Sequence, residues 1–250
     1  MAKGPVPQWK PTWWARYHAP MLGTETHFGW QSATSRLWVM DGLAAGDEGW
    51  DDWLVRGDFH LESSASILDQ VVGVGRHPAR KVLIGGKQGV WRINRHGGAL
   101  GSMLGDKYLT SHRLGREIRL SQELRHHGVA TPEVLLGLAL REGLFWRQHL
   151  VTAEVEFCRT VFDSRKDRNA LGAADALLDR LADLGLWATD LHPDNMLWQK
   201  SSQTCWVIDL AGARLLGRPL KPVERESIRA RFVRYFKKHA GLVPTRFDAD

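Results

Sequence analysis

The chain has little of what marks a membrane-spanning or disulfide-stabilised protein. Its 250 residues include only two cysteines, Cys158 and Cys205, and two thiols cannot build a disulfide framework. Both are therefore expected to be reduced, as in a cytoplasmic protein. The longest apolar run is the seven residues Val134–Leu140, whereas a membrane-spanning helix needs about 20. A signal peptide is not predicted either, because Lys3 and Pro5 interrupt any apolar core near the first residue.

The net positive charge of the chain comes from one segment. The formal net charge is +6, but Arg214–Lys238 alone holds nine basic and two acidic residues, so the remainder sums to −1. A local basic segment predicts an anionic partner, which is a membrane surface, a nucleic acid or a phosphorylated substrate.

Tryptophan is concentrated at the N-terminus, where seven of the twelve lie within the first 55 residues. Gly, Asp and Pro punctuate this region, and no long periodic pattern runs through it. Residues 1–57 are therefore predicted to be an irregular extension on the main body. The tryptophans either pack on that body, which is the favoured interpretation, or seat the protein at a lipid headgroup layer.

Beyond the extension, the pattern predicts a part rich in strands, over 58–156, and a more helical part, over 157–250. The first is expected to contain strands at Val71–Gly75, Lys81–Ile84, Val90–Ile93, Leu135–Leu140 and Leu144–Val155, with a helix at Thr110–Gly128. The second is expected to contain helices at Asn169–Gly185 and Val223–Ala240, with strands at Met196–Trp198 and Cys205–Ile208. Asn169 is the predicted N-cap of its helix.

Three residues of the second part have the spacing of a phosphotransferase site. Asn195 follows Asp190 by five positions, and Asp209 ends the next predicted hairpin. Phosphoryl transfer needs a carboxylate that accepts the proton of the acceptor hydroxyl, and oxygen ligands that hold Mg²⁺ against the nucleotide phosphates. Asp190 is the predicted base, and Asn195 and Asp209 are the predicted metal ligands. A surface turn with a helix-capping Asp is the alternative, which the surrounding helix and strands disfavour.

The first part contains residues suited to holding the nucleotide phosphates. Arg92 stands on a strand where a kinase places the lysine that pairs with a helix glutamate, here Glu117. An arginine can hold phosphate bidentately. Alternative phosphate contacts are Lys81, Lys87 and Lys107, and the pair of Arg92 with Glu117 has a second interpretation as an ordinary surface ion pair.

Two further features of the first part are expected to contact the nucleotide. Gly73 and Gly75 lie at the first hairpin, where a glycine-rich loop would cover the phosphates. Residues 152–156, which include Glu154, fall where a hinge would present backbone groups to adenine.

These motifs resemble the lipopolysaccharide core kinases, in particular the 3-deoxy-D-manno-octulosonic acid (Kdo) kinase family, over about Gly73 to Arg214. The segments that carry the resemblance are Trp91–Gly98, Arg116-Glu117, Leu150–Glu154 with Arg159-Thr160, and Asp190–Asn195 with Ile208-Asp209. The resemblance implies an α+β, protein-kinase-like two-lobe fold. Its small antiparallel β N-lobe would be 58–156, and its reduced, mainly helical C-lobe would be 157–250.

The resemblance also implies an activity and a place of action. The cofactors would be ATP and Mg²⁺, and the acceptor a lipid-linked sugar hydroxyl, that of Kdo in the lipid A–core precursor. The protein would act as a peripheral protein at the cytoplasmic face of the bacterial inner membrane.

The sequence departs from the kinase pattern at two places and leaves alternatives open. Ala188 stands where the usual catalytic triplet has His, and Asp209-Leu-Ala replaces Asp-Phe-Gly. Heptose kinases share the framework, and aminoglycoside and choline kinases have a similar loop, although the short stretch after Asp209 disfavours their larger helical lobe. A non-catalytic kinase-like module that binds a membrane or a partner is the remaining alternative.

The basic C-terminal helix has two compatible interpretations. Its apolar side carries Ile228, Phe232, Tyr235 and Phe236, with arginines and lysines around the rest. Such a helix can lie on an anionic membrane surface, or it can pack on the C-lobe with its charges in solvent. Nucleic acid is not an expected partner, because no recognition module is present.

Overall fold

The computed structural model describes residues 27–31, 34–40, 43, 66–72, 79–96 and 104–247. Within them the chain forms an N-lobe on a seven-stranded antiparallel sheet, and a C-lobe of two helices with two small sheets. This arrangement confirms the predicted α+β, protein-kinase-like fold. The predicted boundaries at residues 57/58 and 156/157 stay predictions. No helix of the described residues has both the length and the apolar character to cross a membrane.

The N-lobe sheet has the strand order β1-β2-β6-β7-β5-β4-β3. Its elements are β1 (His27–Gln31), β2 (Ser35–Met40), β3 (Ser66–Val72), β4 (Ala79–Ile84), β5 (Lys87–Ile93), α1 (His112–His126), β6 (Val134–Glu142) and β7 (Phe145–Ala153). The predicted helix and four of the five predicted strands of this lobe are present, with ends shifted by a few residues. Of the fifth, Val71–Gly75, only Val71 and Val72 are described, and they end β3. α1 follows β5 in the chain and packs against β6. From there its Glu117 side chain reaches Arg92 of β5.

The irregular conformation predicted for residues 1–57 is wrong for the two strands that the structure describes there. β2 pairs with the interior strand β6, with Leu37 opposite Leu138, and β1 pairs with β2. Leu37 and Val39 are buried in the sheet core, while Trp38 packs against Gly115 of α1. Both faces of β2 are therefore covered by apolar contacts, so the strand lacks the polar–apolar alternation that would have predicted it.

α1 packs on the sheet against a glycine of β6. A Cβ built on Gly137 of β6 would be 2.5 Å from Cδ1 of Ile118, so only glycine permits this approach without a shift. The predicted apolar face of α1 is confirmed, since Leu114, Ile118 and Leu124 are all buried. This packing fixes the depth at which Glu117, the neighbour of Ile118, enters the lobe.

The C-lobe surrounds the loop that carries Asp190. Its elements are β8 (Cys158–Thr160), α2 (Arg168–Asp183), β9 (Leu186–Ala188), a 3₁₀ turn (Pro193–Asn195), β10 (Met196–Gln199), β11 (Thr204–Val207), β12 (Ala213–Leu215) and α3 (Pro222–Ala240). β10 pairs with β11 and β8, and β12 pairs with β9. The N-cap of α2 is Asp167 rather than Asn169, because the Asp167 carboxylate accepts the backbone N–H groups of Asn169 and Ala170.

α3 packs on the C-lobe, as one of its two interpretations predicts. Ile228, Phe232 and Phe236 are buried in the C-lobe core. Aspartates of α2 and arginines of α3 form ion pairs between the two helices, namely Arg229 with Asp175 and Asp179, and Arg225 with Asp183. Part of the positive charge of the C-terminal segment is thereby neutralised within the fold.

Candidate active site

The predicted ion pair between Arg92 of β5 and Glu117 of α1 is present. Side chains of β5 alternate, so Trp91 enters the sheet core while Arg92 points toward α1. Glu117 is buried. Asn94 closes the group, because its Oδ1 accepts from Arg92 Nη1 at 2.7 Å and its Nδ2 donates to Glu117 Oε2 at 3.3 Å.

Asn94 is a site residue that the sequence reasoning missed. It is buried, and its Nδ2 also lies 3.4 Å from Oε1 of Gln148. Gln148 in turn donates to the carbonyl of Thr110, just before α1. Its position could have identified it, because Asn94 comes two residues after Arg92 and so lies on the same face of the chain as Arg92. The network joins β5, β7 and α1 around the ion pair.

Burial and charge act in opposite directions on this pair. Burial lowers the pKa of Arg92, but the carboxylates of Glu117 and Asp209 outweigh it and raise that pKa above its ordinary value. Burial raises the pKa of Glu117 above its ordinary value, and the neighbouring guanidinium counters only part of this shift. The guanidinium therefore stays charged in the cleft, and its hydrogen bonds favour the ionised form of Glu117.

Asp209 faces this pair from the C-lobe. Its Oδ1 lies 3.5 Å from Arg92 Nη1, and its side chain is 40% exposed. The backbone of Asp209 has φ 56°, a left-handed conformation that costs a non-glycine residue about 1–3 kcal/mol and occurs at functional sites. The conformation turns the carboxylate into the cleft, where a bound cation could reach it.

The loop between β9 and β10 brings Asp190 and Asn195 together. Asn195 Nδ2 donates to the backbone carbonyl of Asp190 at 2.7 Å, so its Oδ1 is the atom left for a cation. The Asn195 carbonyl accepts from the N–H of Ile208 at 3.0 Å, which ties the loop to the residue before Asp209. The Asp190 carboxylate is 71% exposed and has His192 Nε2 at 3.5 Å.

The oxygen atoms of Asn195 and Asp209 fit the chemistry of Mg²⁺. This ion prefers carboxylate and carbonyl oxygens, and usually takes one or two from the protein while phosphates and water supply the rest. No group of three or more His, Cys, Asp or Glu side chains suited to a metal occurs in the described part of the chain. The two oxygen donors Asn195 and Asp209 suit a Mg²⁺ ion that takes its other ligands from nucleotide phosphates and water.

The other predicted nucleotide contacts are only partly placed. Lys81 Nζ lies 2.6 Å from Glu154 Oε1, so this lysine is paired with a carboxylate rather than free for a phosphate, and the adenine-binding role of residues 152–156 stays a prediction. Glu154 also donates its backbone N–H to the carbonyl of Gln88 at 3.1 Å. Gly73 and Gly75 lie outside the described residues, and their role stays a prediction.

α3 contacts the Asp190 loop, which the sequence did not indicate. Tyr235 donates its hydroxyl to Asp194 Oδ2 and stacks on His192 with ring centroids 4.5 Å apart. Burial lowers the pKa of His192, against the opposing effect of the carboxylates of Asp190, Asp194 and Asp209. The amphipathic pattern of α3 predicts which face is apolar but not which loop it meets.

Comparisons with known proteins identify a family and similar solved structures. Residues 79–227 match the profile of the Lipopolysaccharide kinase (Kdo/WaaP) family. No curated protein matches the chain. Similar solved structures include WaaP in complex with acyl carrier protein, with 16% identity over 68% of this chain and 71% of that one and a TM-score of 0.47. Another is the Rio2 kinase–ADP/Mg²⁺–phosphoaspartate complex from Chaetomium thermophilum. It is 18% identical, the match covers 78% of this chain and 60% of that one, and the TM-score is 0.48.

Proposed function

Since this chain belongs to the lipopolysaccharide kinase (Kdo/WaaP) family, we propose that it transfers the γ-phosphoryl group of ATP to a Kdo hydroxyl of the lipid A–core precursor. The observation that carries the proposal is that Asp209 meets the Arg92–Glu117 pair, while Asn195, which is bonded to Ile208 beside Asp209, holds the Asp190 loop. The Kdo preference comes from the sequence resemblance, and a heptose acceptor is the second candidate.

Asp190 suits the role of the base toward the acceptor. Its carboxylate is exposed, so an incoming hydroxyl can approach it, while its backbone carbonyl is held by Asn195. In the proposed reaction the carboxylate orients the sugar hydroxyl and takes its proton as the oxygen attacks the γ-phosphorus. The ADP oxygen then carries away the electron pair of the broken P–O bond.

Asn195 and Asp209 would hold Mg²⁺, which when bound neutralises the charge on the phosphates. Asn195 offers Oδ1 because its nitrogen is engaged, and Asp209 offers a carboxylate turned into the cleft by its backbone. Arg92 would hold a phosphate with a guanidinium that Glu117 and Asn94 orient. The chain's own contribution is thus to align the two substrates and to place charge around the transferred group.

The exposed charges of α3 support a peripheral location at the cytoplasmic face of the inner membrane. Arg234, Lys237 and Lys238 are exposed, and each basic residue near an anionic lipid surface contributes up to about 1 kcal/mol. Such attachment would bring the site close to a lipid-linked acceptor.

Co-sedimentation with phosphatidylglycerol–phosphatidylethanolamine vesicles tests the membrane attachment. The Lys237→Gln, Lys238→Gln double variant should bind less, and equal binding to phosphatidylcholine vesicles would contradict the proposal.

The decisive experiment is phosphate transfer from ATP to purified Kdo–lipid A, followed by mass spectrometry of the product. Wild type should add one phosphate to Kdo, and Asp190→Asn should lower the rate by about 10²–10⁴-fold, the usual contribution of a general base. Asp183→Asn, a matched change of a surface carboxylate on α2, should keep full activity. Phosphorylation of a heptose-containing acceptor alone would favour the heptose candidate. Transfer to neither acceptor would favour the non-catalytic module.

A further inference from the structure

α3 holds the Asp190 loop near both of its ends. Before the loop, Arg231 Nη1 donates to the carbonyl of Ala188 at 2.6 Å, with its guanidinium over the Trp187 ring. Within the loop, Tyr235 donates its hydroxyl to Asp194. Arg231 and Tyr235 are four residues apart and so lie on one face of the helix. A helix far along the chain from the loop therefore supports it from outside.

The Tyr235 ring is fixed by contacts on several sides. It stacks on His192 at 4.5 Å with an interplanar angle of 10°, and on His239 of its own helix at 4.3 Å. The Phe162 ring meets it edge-on at 5.6 Å. Aromatic pairs of this kind contribute beyond simple burial, and together they leave the His192 ring little freedom.

His192 connects this stack to the base. Its Nε2 lies 3.5 Å from Asp190 Oδ1, and its Nδ1 is buried without a hydrogen-bond partner. Among the ion pairs and side-chain hydrogen bonds of the described residues, the one with His192 is the only one that involves the Asp190 carboxylate. The tautomer with the proton on Nε2 is assigned from this network, since it is the neutral form that donates toward Asp190.

We propose that Tyr235 is a positioning residue, which fixes the orientation of the His192 ring. Through that ring it holds the Asp190 carboxylate in the orientation that takes the proton of the sugar hydroxyl. This inference rests on the proposed phosphotransfer. An exposed carboxylate otherwise samples several rotamers, and displacement of a catalytic group by about 1 Å can lower a rate about 10²-fold. Ala188, the last residue of β9, stands where the usual catalytic triplet has His, and α3 supports the loop from outside.

Steady-state kinetics of Tyr235 variants test the proposal. Tyr235→Leu loses both the stack and the hydrogen bond, so its kcat should fall about 10–100-fold while the KM for ATP changes less than about twofold. Tyr235→Phe keeps the stack and should lose less. Adding Tyr235→Leu to His192→Ala should cause little further loss, because both act through one contact. Wild-type kcat in Tyr235→Leu, or additive losses in the double variant, would overturn the proposal.

Arg229→Ala is the matched control for a loosened helix. It removes the ion pairs of α3 with Asp175 and Asp179 but leaves Tyr235 on the loop, so it should lower stability and keep kcat. If it reproduced the Tyr235→Leu loss, generic loosening of α3 would replace the positioning role. Wild-type turnover and the Asp190→Asn loss test the phosphotransfer itself.

A second measurement needs no turnover. Nitrogen NMR of the His192 ring should show the Nε2-protonated tautomer in wild type and in Tyr235→Phe, and averaging of the two tautomers in Tyr235→Leu. An unchanged His192 spectrum in Tyr235→Leu would overturn the positioning role, even if the proposed acceptor were wrong.

Discussion

Arg92 of the N-lobe and Asp209 of the C-lobe approach to 3.5 Å, measured from Nη1 to Oδ1. The guanidinium is shared, because Glu117 binds it from the other side. A cation that binds Asp209 must therefore compete with Arg92, and Glu117 weakens that competition by drawing the guanidinium toward α1. The strength of one ion pair in the N-lobe thus bears on metal binding in the C-lobe.

Glu117→Gln should make the enzyme need more Mg²⁺. Without the carboxylate, the Arg92 charge is balanced by Asp209 alone, so the Mg²⁺ concentration for half-maximal activity should rise several-fold. Removing one partner of a buried pair should also cost stability, about 3 kcal/mol at most for this partly exposed arginine. Activity measured against Mg²⁺ concentration checks the first effect, and urea unfolding the second. Glu226→Gln, an exposed carboxylate of α3, is the control. An unchanged Mg²⁺ requirement in Glu117→Gln would count against the competition.

Gly185→Ala should destabilise the C-lobe, whereas Gly172→Ala should not. Gly185 follows α2 with φ 80°, and a Cβ there would overlap the backbone carbonyl of Arg218, so the cost should exceed about 2 kcal/mol. Gly172 lies inside α2 with open space where a methyl group would stand, and alanine should stabilise the helix by up to about 1 kcal/mol. Urea midpoints of the two variants check this, and opposite signs are the expected result.

Acidification should destabilise the protein partly through His149. Trp91 Nε1 donates to His149 Nδ1 at 3.2 Å, which requires the neutral ring. Burial lowers the pKa of His149 to about 4, aided by Arg147 and opposed by Asp106. The ordinary pKa of a histidine is about 6.5. Between this pH and about pH 4, the unfolded chain binds a proton at His149 that the folded chain does not. Stability is therefore lost as the pH falls through this window, by at most about 1.4 kcal/mol per pH unit from this residue.

His149→Gln keeps an acceptor for Trp91 and removes the titrating ring. The variant should lose less stability than wild type between pH 6.5 and 4, about the values that bound the His149 transition. Urea unfolding at several pH values measures the difference, and His126→Gln, at the exposed end of α1, controls for the loss of a surface histidine. Parallel pH profiles for wild type and His149→Gln would refute the prediction.

Asp175→Asn should destabilise the protein more than Asp183→Asn. The Asp175 side chain is 15% exposed and binds both Arg229 and Arg246, whereas that of Asp183 is 69% exposed and binds Arg225. An exposed ion pair contributes about 0.2–1 kcal/mol, and salt weakens it further. Urea unfolding at low and high salt checks both points. Equal losses of unfolding free energy in the two variants would show that neither the second arginine nor the burial of Asp175 adds to stability.

Local patterns in the sequence predicted much of the fold. α1 and α2 have long apolar periodicities, and the strands of the β4–β5 hairpin are separated by glycines, so their existence follows from short-range rules. The Arg92–Glu117 pair was predicted by analogy instead, because kinases place a lysine on such a strand to pair with a glutamate of the following helix.

The features that the sequence did not predict depend on contacts between distant segments. β2 is covered on both faces, so its residues do not alternate between polar and apolar, and the sequence did not indicate a strand there. Asp167 caps α2 because the turn before the helix leaves its carboxylate facing the first N–H groups, and Asn169 was an equally suitable residue type. The contact of Tyr235 with His192 joins residues far apart in the chain, and no local periodicity encodes which loop a helix will meet.

The ion pairs between α2 and α3 limit how long the protein would stay on a membrane. Arg225 and Arg229 are occupied by aspartates and Arg231 by a backbone carbonyl, which leaves chiefly Arg234, Lys237 and Lys238 on α3 for lipid. At up to about 1 kcal/mol for each, the electrostatic attraction would total about 3 kcal/mol, roughly a hundredfold enrichment at the surface. An attachment of that size breaks and reforms readily, so the enzyme would exchange between the surface and solution, and its supply of acceptor would fall steeply with ionic strength.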